Sequence, residues 1–347
     1  MSGGDTSRIL LTGAAGFVGA ALARRLLADG HAVTGVDNLS PYYDVALKQA
    51  RLTALQRHPA FSFLHLDLAE RERAASLFEG QRFDFVVHLA AQPGVRHSLE
   101  NPASYIDANL SGFGNVLEGV RSCRPAHFLF ASSSSVYGEA TVPSSEKDRA
   151  DRPLSLYAAT KRANELMAHS YAHLYRIPCT GLRLFTVYGP WMRPDMGIYR
   201  FAEAIVSGQP VPVFNCGELR RDFTYIDDVA EAIARIMRRP PRPQETASPY
   251  RVLNIGHRQP VELMHVVALL ERHLGRRAKL KLLPMQPGDV PATHADVTAL
   301  LEVTGFVPTT SIEQGIAHFT EWFLAWRAGG APGAAPVQTT QENNLCA

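Results

Sequence analysis

A tyrosine and a lysine four residues apart have the types and spacing needed for proton transfer. Tyr157 and Lys161 follow, by about twenty residues, a run of four serines that includes Ser133. If residues 156–175 form a helix, the two side chains share one face and the ammonium can sit beneath the phenol. A cation there would favour the phenolate and lower the tyrosine pKa from its ordinary value of about 10. The spacing therefore predicts a general base that works near neutrality.

A glycine-rich loop follows the first predicted strand. Residues 8–12 form a short apolar run that leads into Gly13, Gly16 and Gly19, in the spacing G-x-x-G-x-x-G. Gly13 permits a tight turn, Gly16 lets backbone amides approach a pyrophosphate, and Gly19 lets the helix over 17–29 pack on the strand. The order of strand, loop, helix and strand predicts a dinucleotide-binding site.

An acidic residue ends the second predicted strand, which covers residues 31–36. The carboxylate of Asp37 can accept hydrogen bonds from a ribose diol, but it would repel a 2′-phosphate. The sequence therefore predicts NAD, in preference to NADP, as the cofactor. An oxidised nicotinamide ring would be a second cation that favours the Tyr157 phenolate.

Composition favours an enzyme over a nucleic-acid or membrane protein. The chain has 347 residues, is 46% hydrophobic and carries a net charge of +2. Its arginines are scattered, no apolar run is long enough to span a bilayer, and no cleavable signal precedes the first strand. We therefore expect a cytoplasmic protein with no nucleic-acid or membrane partner. The cysteines are widely spaced, which predicts reduced thiols. His169 and His173 have the spacing of metal ligands but lack the glutamate of the zinc-protease motif, so we predict no metal site.

Short apolar strands alternate with amphipathic helices over the first half of the chain. Strands are predicted at 61–66, 83–89, 127–131 and 180–185, and helices at 45–57, 71–78, 104–121 and 156–175. This alternation predicts an α/β fold with a doubly wound, Rossmann-like parallel sheet. Ligands bind beyond the carboxyl ends of such strands, where Gly13, Asp37, Asp67, Ala90 and Ser133 would meet.

The pattern changes after residue 186 to a loop-rich region. We predict an NAD-binding Rossmann domain over 1–186, rejoined by residues from about 223 to 257, and a smaller, discontinuous C-terminal substrate-binding domain over 187–327. Residues 328–347 are rich in Gly, Ala, Pro and polar residues, have little to bury, and are predicted to form a disordered tail.

Five stretches of residues 8–326 carry a resemblance to a known family. They are A-Q-P-G-V-R at 91–96, S-S-S-S-V-Y-G at 132–138, S-L-Y-A-A-T-K at 155–161, T-V-Y-G-P-W at 186–191 with R-P-D-M at 193–196, and R-D-F-T-Y-I-D-D at 221–228. With them the chain resembles the extended short-chain dehydrogenase/reductases that act on nucleotide sugars, and among these the UDP-glucuronate 4-epimerases. The family pattern has glycine where this chain has Met192.

The resemblance implies a reaction at the sugar C4. Tyr157 would take the proton of the 4-hydroxyl while NAD removes hydride, Ser133 would hydrogen-bond the reacting oxygen, and Lys161 would hold the ribose. The 4-keto sugar would then turn and receive hydride on its other face. UDP-glucuronate would thereby become UDP-galacturonate without net oxidation.

The resemblance also implies two sets of binding residues. NAD would contact Gly13, Ala15, Gly16, Phe17, Val18, Gly19, Asp37, Asn38, Asp67, Leu68, Leu89, Ala90, Ala91, Tyr157 and Lys161. The UDP-sugar would contact Arg96, Ser134, Ser135, Thr186, Arg193, Val213, Asn215, Arg221 and Asp289. Within the second set, our hypothesis is that Ser134, Ser135, Thr186 and Arg193 hold the uronate carboxylate. The alternative for Arg193 is a salt bridge with Asp195, and for Arg221 a surface ion pair.

Other readings of the same motifs remain open. The chain could be a UDP-glucose/galactose 4-epimerase, a UDP-glucuronate decarboxylase or a 4,6-dehydratase of the same fold, or a non-catalytic NAD-binding sensor. Dehydratases of this fold carry Asp and then Glu where this chain has Ser134 and Ser135, and decarboxylases keep the glutamate, so both are disfavoured. Relatives pair through helices that match 104–121 and 156–175, which implies a homodimer.

Overall fold

The computed structural model describes residues 6–242, 248–286 and 288–329. Its strands are β1 (Arg8–Thr12), β2 (Ala32–Asp37), β3 (Phe61–His65), β4 (Phe85–His88), β5 (His127–Ser133), β6 (Cys179–Leu184), β7 (Thr186–Tyr188), β8 (Pro210–Val213), β9 (Arg220–Arg221), β10 (Phe223–Tyr225), β11 (Tyr250–Ile255), β12 (Val261–Glu262) and β13 (Lys279–Leu282). Its α-helices are α1 (Phe17–Ala28), α2 (Val45–Leu55), α3 (Arg71–Ser76), α4 (His97–Glu100), α5 (Pro102–Ile106), α6 (Gly112–Cys123), α7 (Leu156–Tyr175), α8 (Gly197–Val206), α9 (Ile226–Met237), α10 (Leu263–Leu274), α11 (Thr298–Thr304) and α12 (Ile312–Arg327).

Seven strands form one parallel sheet in the order β11-β6-β5-β4-β1-β2-β3. The predicted Rossmann-like fold is therefore confirmed. The strand order reverses beside β1, which lies between β2 and β4, and such a switch point opens a crevice at the carboxyl ends of the strands. The sequence analysis predicted that the cofactor-binding residues lie at this edge of the sheet.

The sheet is covered on both faces, as a parallel sheet requires. Alternate residues of β1 point to opposite faces, so Ile9 and Leu11 join one core cluster and Leu10 joins the other. The first cluster contains apolar residues of α1, α2 and α9, and the second contains those of α3, α6 and α7. The helices that carry the glycine loop and the Tyr157 motif therefore pack on opposite faces.

The helix predicted over 104–121 is present, but a π-helical turn at Asp107–Ser111 interrupts the α-helical pattern between α5 and α6. Asn109 lies in this turn and is buried. Its carbonyl oxygen accepts a hydrogen bond of 2.6 Å from Asn164 Nδ2 on α7, and its side chain pairs with both backbone groups of Gln92. The π-helical turn thus orients Asn109, whose side chain holds the loop after β4 through Gln92.

The C-terminal part contributes to both the sheet and a smaller assembly. Strand β11 lies beside β6, so the segment predicted to rejoin the sheet does so. Strands β8 and β13 pair with each other, and α10 packs against α8 and α12. The predicted division into domains stays a prediction. Apart from Ala328 and Gly329, the predicted tail lies outside the described residues. Within the described ranges, every helix is too short or too polar to cross a bilayer.

Candidate active site

A cavity of about 380 Å³ lies at the carboxyl ends of the strands. Its walls come from the glycine loop, the ends of β2, β4, β5 and β6, and the first turns of α7. All three predicted catalytic residues line it: Ser133, Tyr157 and Lys161. The sheet therefore brings the sequence motifs from the N-terminus and from residues 132–161 into one space.

Two backbone features set the positions of the three catalytic side chains. Ser133 ends β5 in extended conformation, and its Oγ accepts a hydrogen bond of 3.1 Å from the amide of Ser135. Tyr157 stands at the start of α7, where Ser155 caps the helix. Lys161 is buried one turn later, and its ammonium donates a 3.0 Å hydrogen bond to the carbonyl of Ala131. Strand and helix are thus joined directly at the site.

The pKa of Tyr157 differs from the sequence-based expectation. Burial raises it above its ordinary value, while a hydrogen bond with Ser133 and the charge of Arg193 act in the opposite direction. The prediction that Lys161 lowers this pKa is therefore wrong for the polypeptide alone, because burial outweighs the lowering groups and Lys161 is not one of them. Burial also lowers the pKa of Lys161 to about 8.

The glycine loop has no room for side chains at Gly13, Gly16 and Gly19, where a Cβ would lie less than 3.0 Å from backbone atoms. Gly13 has a φ of +74°, and a Cβ on it would lie 2.7 Å from the amide nitrogen of Ala90. A Cβ on Gly19 would lie 2.0 Å from the carbonyl oxygen of Gly13. These close approaches let the N-terminus of α1, at Phe17 and Val18, form one wall of the cavity. The arrangement suits an anionic pyrophosphate.

Asp37 lies where the ribose diol of a dinucleotide is expected. Its two carboxylate oxygens accept hydrogen bonds from the amides of Ala15 (3.1 Å) and Leu39 (2.8 Å). Lys48 of α2 was missed by the sequence reasoning, yet its ammonium lies 3.7 Å from Asp37 Oδ1 and lines the cavity. Burial lowers the Lys48 pKa. The sequence could have indicated Lys48, because it lies in the predicted helix after Asp37 in a chain with only five lysines.

Most of the predicted cofactor residues line the cavity. They are Gly13, Gly16, Phe17, Val18, Gly19, Asp37, Asn38, Asp67, Leu68, Leu89, Ala90, Ala91, Tyr157 and Lys161. Ala15 does not line it and contributes through its hydrogen bond to Asp37. The residues present therefore fit a dinucleotide.

The predicted carboxylate-binding residues also meet at the cavity. In the sheet Ser133 lies opposite Leu184, and Thr186, two residues beyond Leu184, lines the same cavity as Ser134 and Ser135. Arg193 completes this wall, but it is also paired with Asp195. Arg193 Nε lies 2.9 Å from Asp195 Oδ1 and Nη2 lies 2.8 Å from Oδ2. The salt bridge considered as the alternative is thus present together with access to the cavity.

The other predicted substrate residues form a second group outside this cavity. Arg221 Nη2 lies 2.6 Å from Asp289 Oδ1, and Arg96 Nη2 lies 4.0 Å from Asp289 Oδ2. The Arg96 guanidinium lies over the ring of Phe214, between Val213 and Asn215 in the chain. Val213 is fully buried, and the Asn215 side chain donates to the carbonyl of Glu218. Their assignment to the substrate stays a prediction.

Three further residues singled out from the sequence are accounted for by their contacts. Met192, which replaces the family glycine, is 1% exposed in the core and does not line the cavity. His169 packs on the ring of Tyr250, while His173 hydrogen-bonds Ser248, so the two histidines have separate partners. Within the described ranges, no three His, Cys, Asp or Glu side chains are grouped to hold a metal ion.

Comparison with known proteins places these motifs in one family. The model of the NAD dependent epimerase/dehydratase family matches residues 9–256. The chain is 48% identical over 332 residues to a probable UDP-glucuronate 4-epimerase of Rhizobium meliloti (strain 1021), covering 91% of this chain and 96% of the relative. It is 43% identical over 339 residues to UDP-glucuronate 4-epimerase 4 of Arabidopsis thaliana, covering 94% and 77%.

A solved structure gives the same result for the fold. The crystal structure of UDP-glucuronic acid 4-epimerase from Bacillus cereus, in complex with UDP-glucuronic acid and NAD, superposes with a TM-score of 0.84. The two chains are 31% identical, and the match covers 92% of this chain and 99% of that one. The resemblance stated from the sequence and the NAD prediction are therefore confirmed.

Proposed function

This chain belongs to the NAD dependent epimerase/dehydratase family and is an NAD-dependent nucleotide-sugar epimerase, and we propose that it interconverts UDP-glucuronate and UDP-galacturonate. One observation carries the choice of substrate. Beside Ser133 and Tyr157 the cavity wall presents the hydroxyls of Ser134, Ser135 and Thr186 together with the guanidinium of Arg193. Neutral donors and a cation suit a sugar that bears a carboxylate.

The proton chemistry is assigned to Tyr157. Bound NAD supplies a hydride acceptor and donor at its nicotinamide ring. Tyr157, as phenolate, takes the proton of the sugar 4-hydroxyl as C4 is oxidised, and returns it to the same oxygen as C4 is reduced from the opposite face. The hydroxyl of Ser133 hydrogen-bonds that oxygen. Because burial raises the Tyr157 pKa, the nearby charge of Arg193 is a favourable contribution to the phenolate.

The residues proposed to bind the carboxylate have a second role, which is to prevent decarboxylation of the intermediate. The 4-keto uronate is a β-keto acid, and it loses carbon dioxide when its C5–C6 bond stands perpendicular to the plane of the C4 ketone. The C5–C6 electron pair then becomes the enolate of the ketone, which takes a proton at C5. The hydroxyls of Ser134, Ser135 and Thr186 and the guanidinium of Arg193 would hold the carboxylate away from that orientation.

The nucleotide end of the substrate is assigned to the group around Asp289. Arg221 and Arg96 together carry two positive charges beside one carboxylate, which leaves a net positive site for a diphosphate. Phe214 lies under Arg96 and offers a ring face. We place the UDP moiety here, with Val213 and Asn215 at its edge.

The test is product analysis of purified protein by NMR with UDP-glucuronate and UDP-glucose. We expect UDP-galacturonate with little carbon dioxide from the unaltered protein. Arg193→Ala should bind UDP-glucuronate poorly, and Arg327→Ala is the matched control, since Arg327 pairs with the exposed Glu203 on the surface. A pentose product, or full activity on UDP-glucose with none on the uronate, would overturn the proposal.

We also propose that the protein is a homodimer built through α6 and α7. Leu166 and Leu174 on α7 are 55% and 66% exposed, which leaves apolar surface on one side of that helix. Ile106, just before the π-helical turn, adds further exposed apolar surface. A second copy of the same helices would cover these side chains.

A further inference from the structure

The loop that carries Arg193 is held at Trp191 by contacts distant in sequence and is closed after Arg193 by a local turn. The carbonyl of Trp191 accepts a hydrogen bond of 2.5 Å from Arg51 Nη2 on α2. The Trp191 ring packs against Trp322 and Trp326 of α12. The amide of Met196 donates to the carbonyl of Arg193, which closes a turn around Asp195. The backbone at Arg193 is therefore fixed, and its side-chain direction depends on its partners.

The pairing of Arg193 with Asp195 uses one edge of the guanidinium. Nε and Nη2 donate to the two oxygens of Asp195. A guanidinium has a second edge, formed by Nη1 and the remaining N–H of Nη2, which fits another planar carboxylate with two parallel hydrogen bonds. Among the described residues, Nη1 has no hydrogen-bond partner, and the Arg193 side chain is 21% exposed where it lines the cavity.

Asp195 is itself held by Tyr42, from the loop between β2 and α2. The hydroxyl of Tyr42 donates to Asp195 Oδ2 at 3.2 Å. The Tyr42 ring lies 4.9 Å from the ring of His97, and a Cβ on Gly94 would lie 2.7 Å from the Tyr42 hydroxyl oxygen. Burial raises the Tyr42 pKa to about 12, so this group remains a donor at neutral pH. Three side chains are thus connected in the order Tyr42, Asp195, Arg193.

We propose that Asp195 is a positioning residue for substrate specificity: with Tyr42 it holds one edge of the Arg193 guanidinium, so that the other edge meets the uronate carboxylate. This inference rests on the proposed function, because it names how the proposed carboxylate site is built. Asp195 does not line the cavity and acts through Arg193, whereas Tyr42 lines the cavity and also holds Asp195.

Two other roles for Asp195 predict different effects of its removal on sugar binding. If Asp195 were only a counterion that competes with the substrate for Arg193, removing its charge would free the guanidinium and tighten uronate binding. If it were only structural, its loss would weaken the binding of every UDP-sugar alike. A positioning role instead weakens binding of the uronate and spares neutral sugars.

The experiment uses full-length protein loaded with NAD in a Tyr157→Phe background, so that bound sugar is not turned over. Calorimetric titration with UDP-glucuronate and with UDP-glucose measures the preference for the carboxylate. We expect Asp195→Asn to weaken the binding of UDP-glucuronate roughly tenfold, which is the scale of one charge-assisted contact. The binding of UDP-glucose should weaken by less than about twofold. Tyr42→Phe should act in the same direction by about threefold, since it removes one neutral donor.

The matched control is Glu203→Gln, which removes a carboxylate from an exposed ion pair with Arg327 and should leave both affinities unchanged. Tighter UDP-glucuronate binding by Asp195→Asn, equal losses for both sugars, or no change would each overturn the positioning role. If the protein with Asp195 intact shows no preference for UDP-glucuronate, the proposed function fails as well. If that preference exists and Asp195→Asn retains it, only the positioning role fails.

Discussion

Lys161 should make the folded protein less stable than an apolar residue of the same size would. It is 2% exposed, and the Ala131 carbonyl, at 3.0 Å, is its hydrogen-bond acceptor. Burial lowers its pKa from 10.5 to about 8. At about 1.36 kcal/mol for each pKa unit, this shift means that the charged lysine costs the native state about 3 kcal/mol at pH 7.

Replacing Lys161 with methionine removes this cost and keeps the side-chain volume. The lost hydrogen bond to the Ala131 carbonyl offsets about 1 to 2 kcal/mol of the gain. We therefore expect Lys161→Met to raise the free energy of unfolding at pH 7 by roughly 1 to 2 kcal/mol, while turnover is abolished. A residue that is kept at a cost in stability is typical of an active site.

The sign of the pH dependence follows from the lowered pKa. Between pH 8 and 10.5 the folded protein binds fewer protons at Lys161 than the unfolded chain, so the unaltered protein gains stability as pH rises through that window. The advantage of Lys161→Met should be full below pH 8 and shrink progressively up to pH 10.5. Urea unfolding of NAD-free protein at pH 7 and pH 9.5 measures it, with Lys281→Met on the exposed strand β13 as control. A variant less stable than the unaltered protein at pH 7, or a difference independent of pH, would refute this reasoning.

Three other changes test the site and the assembly. Tyr157→Phe should lower turnover by about 10² to 10⁴ without loss of folding, and near-normal turnover in a folded variant would remove Tyr157 from the mechanism. Asp37→Asn should narrow the preference for NAD over NADP in titrations with both cofactors, and tighter NADP binding by the unaltered protein would contradict the assignment. Leu166→Glu with Leu174→Glu should shift the protein to a monomer in light scattering, and an unchanged mass would exclude that face as the dimer interface.

Features that depend on residues close together in the sequence were predicted accurately. The strand at residues 8–12 and the helix at 156–175 have the bounds that periodicity indicated, because each buries an apolar pattern that is continuous along the chain. Gly13 and Gly19 could be identified because the close approaches of this loop exclude other residues. The convergence of Asp37, Ala90 and Ser133 followed from the rule that parallel strands share one functional edge.

Features that depend on contacts between distant residues were not predicted. In the π-helical turn at Asp107–Ser111 the carbonyl of Asn109 accepts a hydrogen bond from Asn164 on another helix, whereas the local sequence pattern there is helical throughout. The raised pKa of Tyr157 reflects desolvation by the assembled cavity, which helical spacing does not describe.

The sequence by itself determined the family, the sheet, the cofactor and the residue types at the reacting centre, since these follow from periodicity and from motifs a few residues long. Tertiary structure decided which charged groups act together. It placed Lys48 beside Asp37, turned Lys161 toward Ala131, and joined Tyr42 to Asp195 across 153 residues of chain. The physical reason is that hydrogen bonds and ion pairs depend on distances of a few ångströms, which only the packed chain defines.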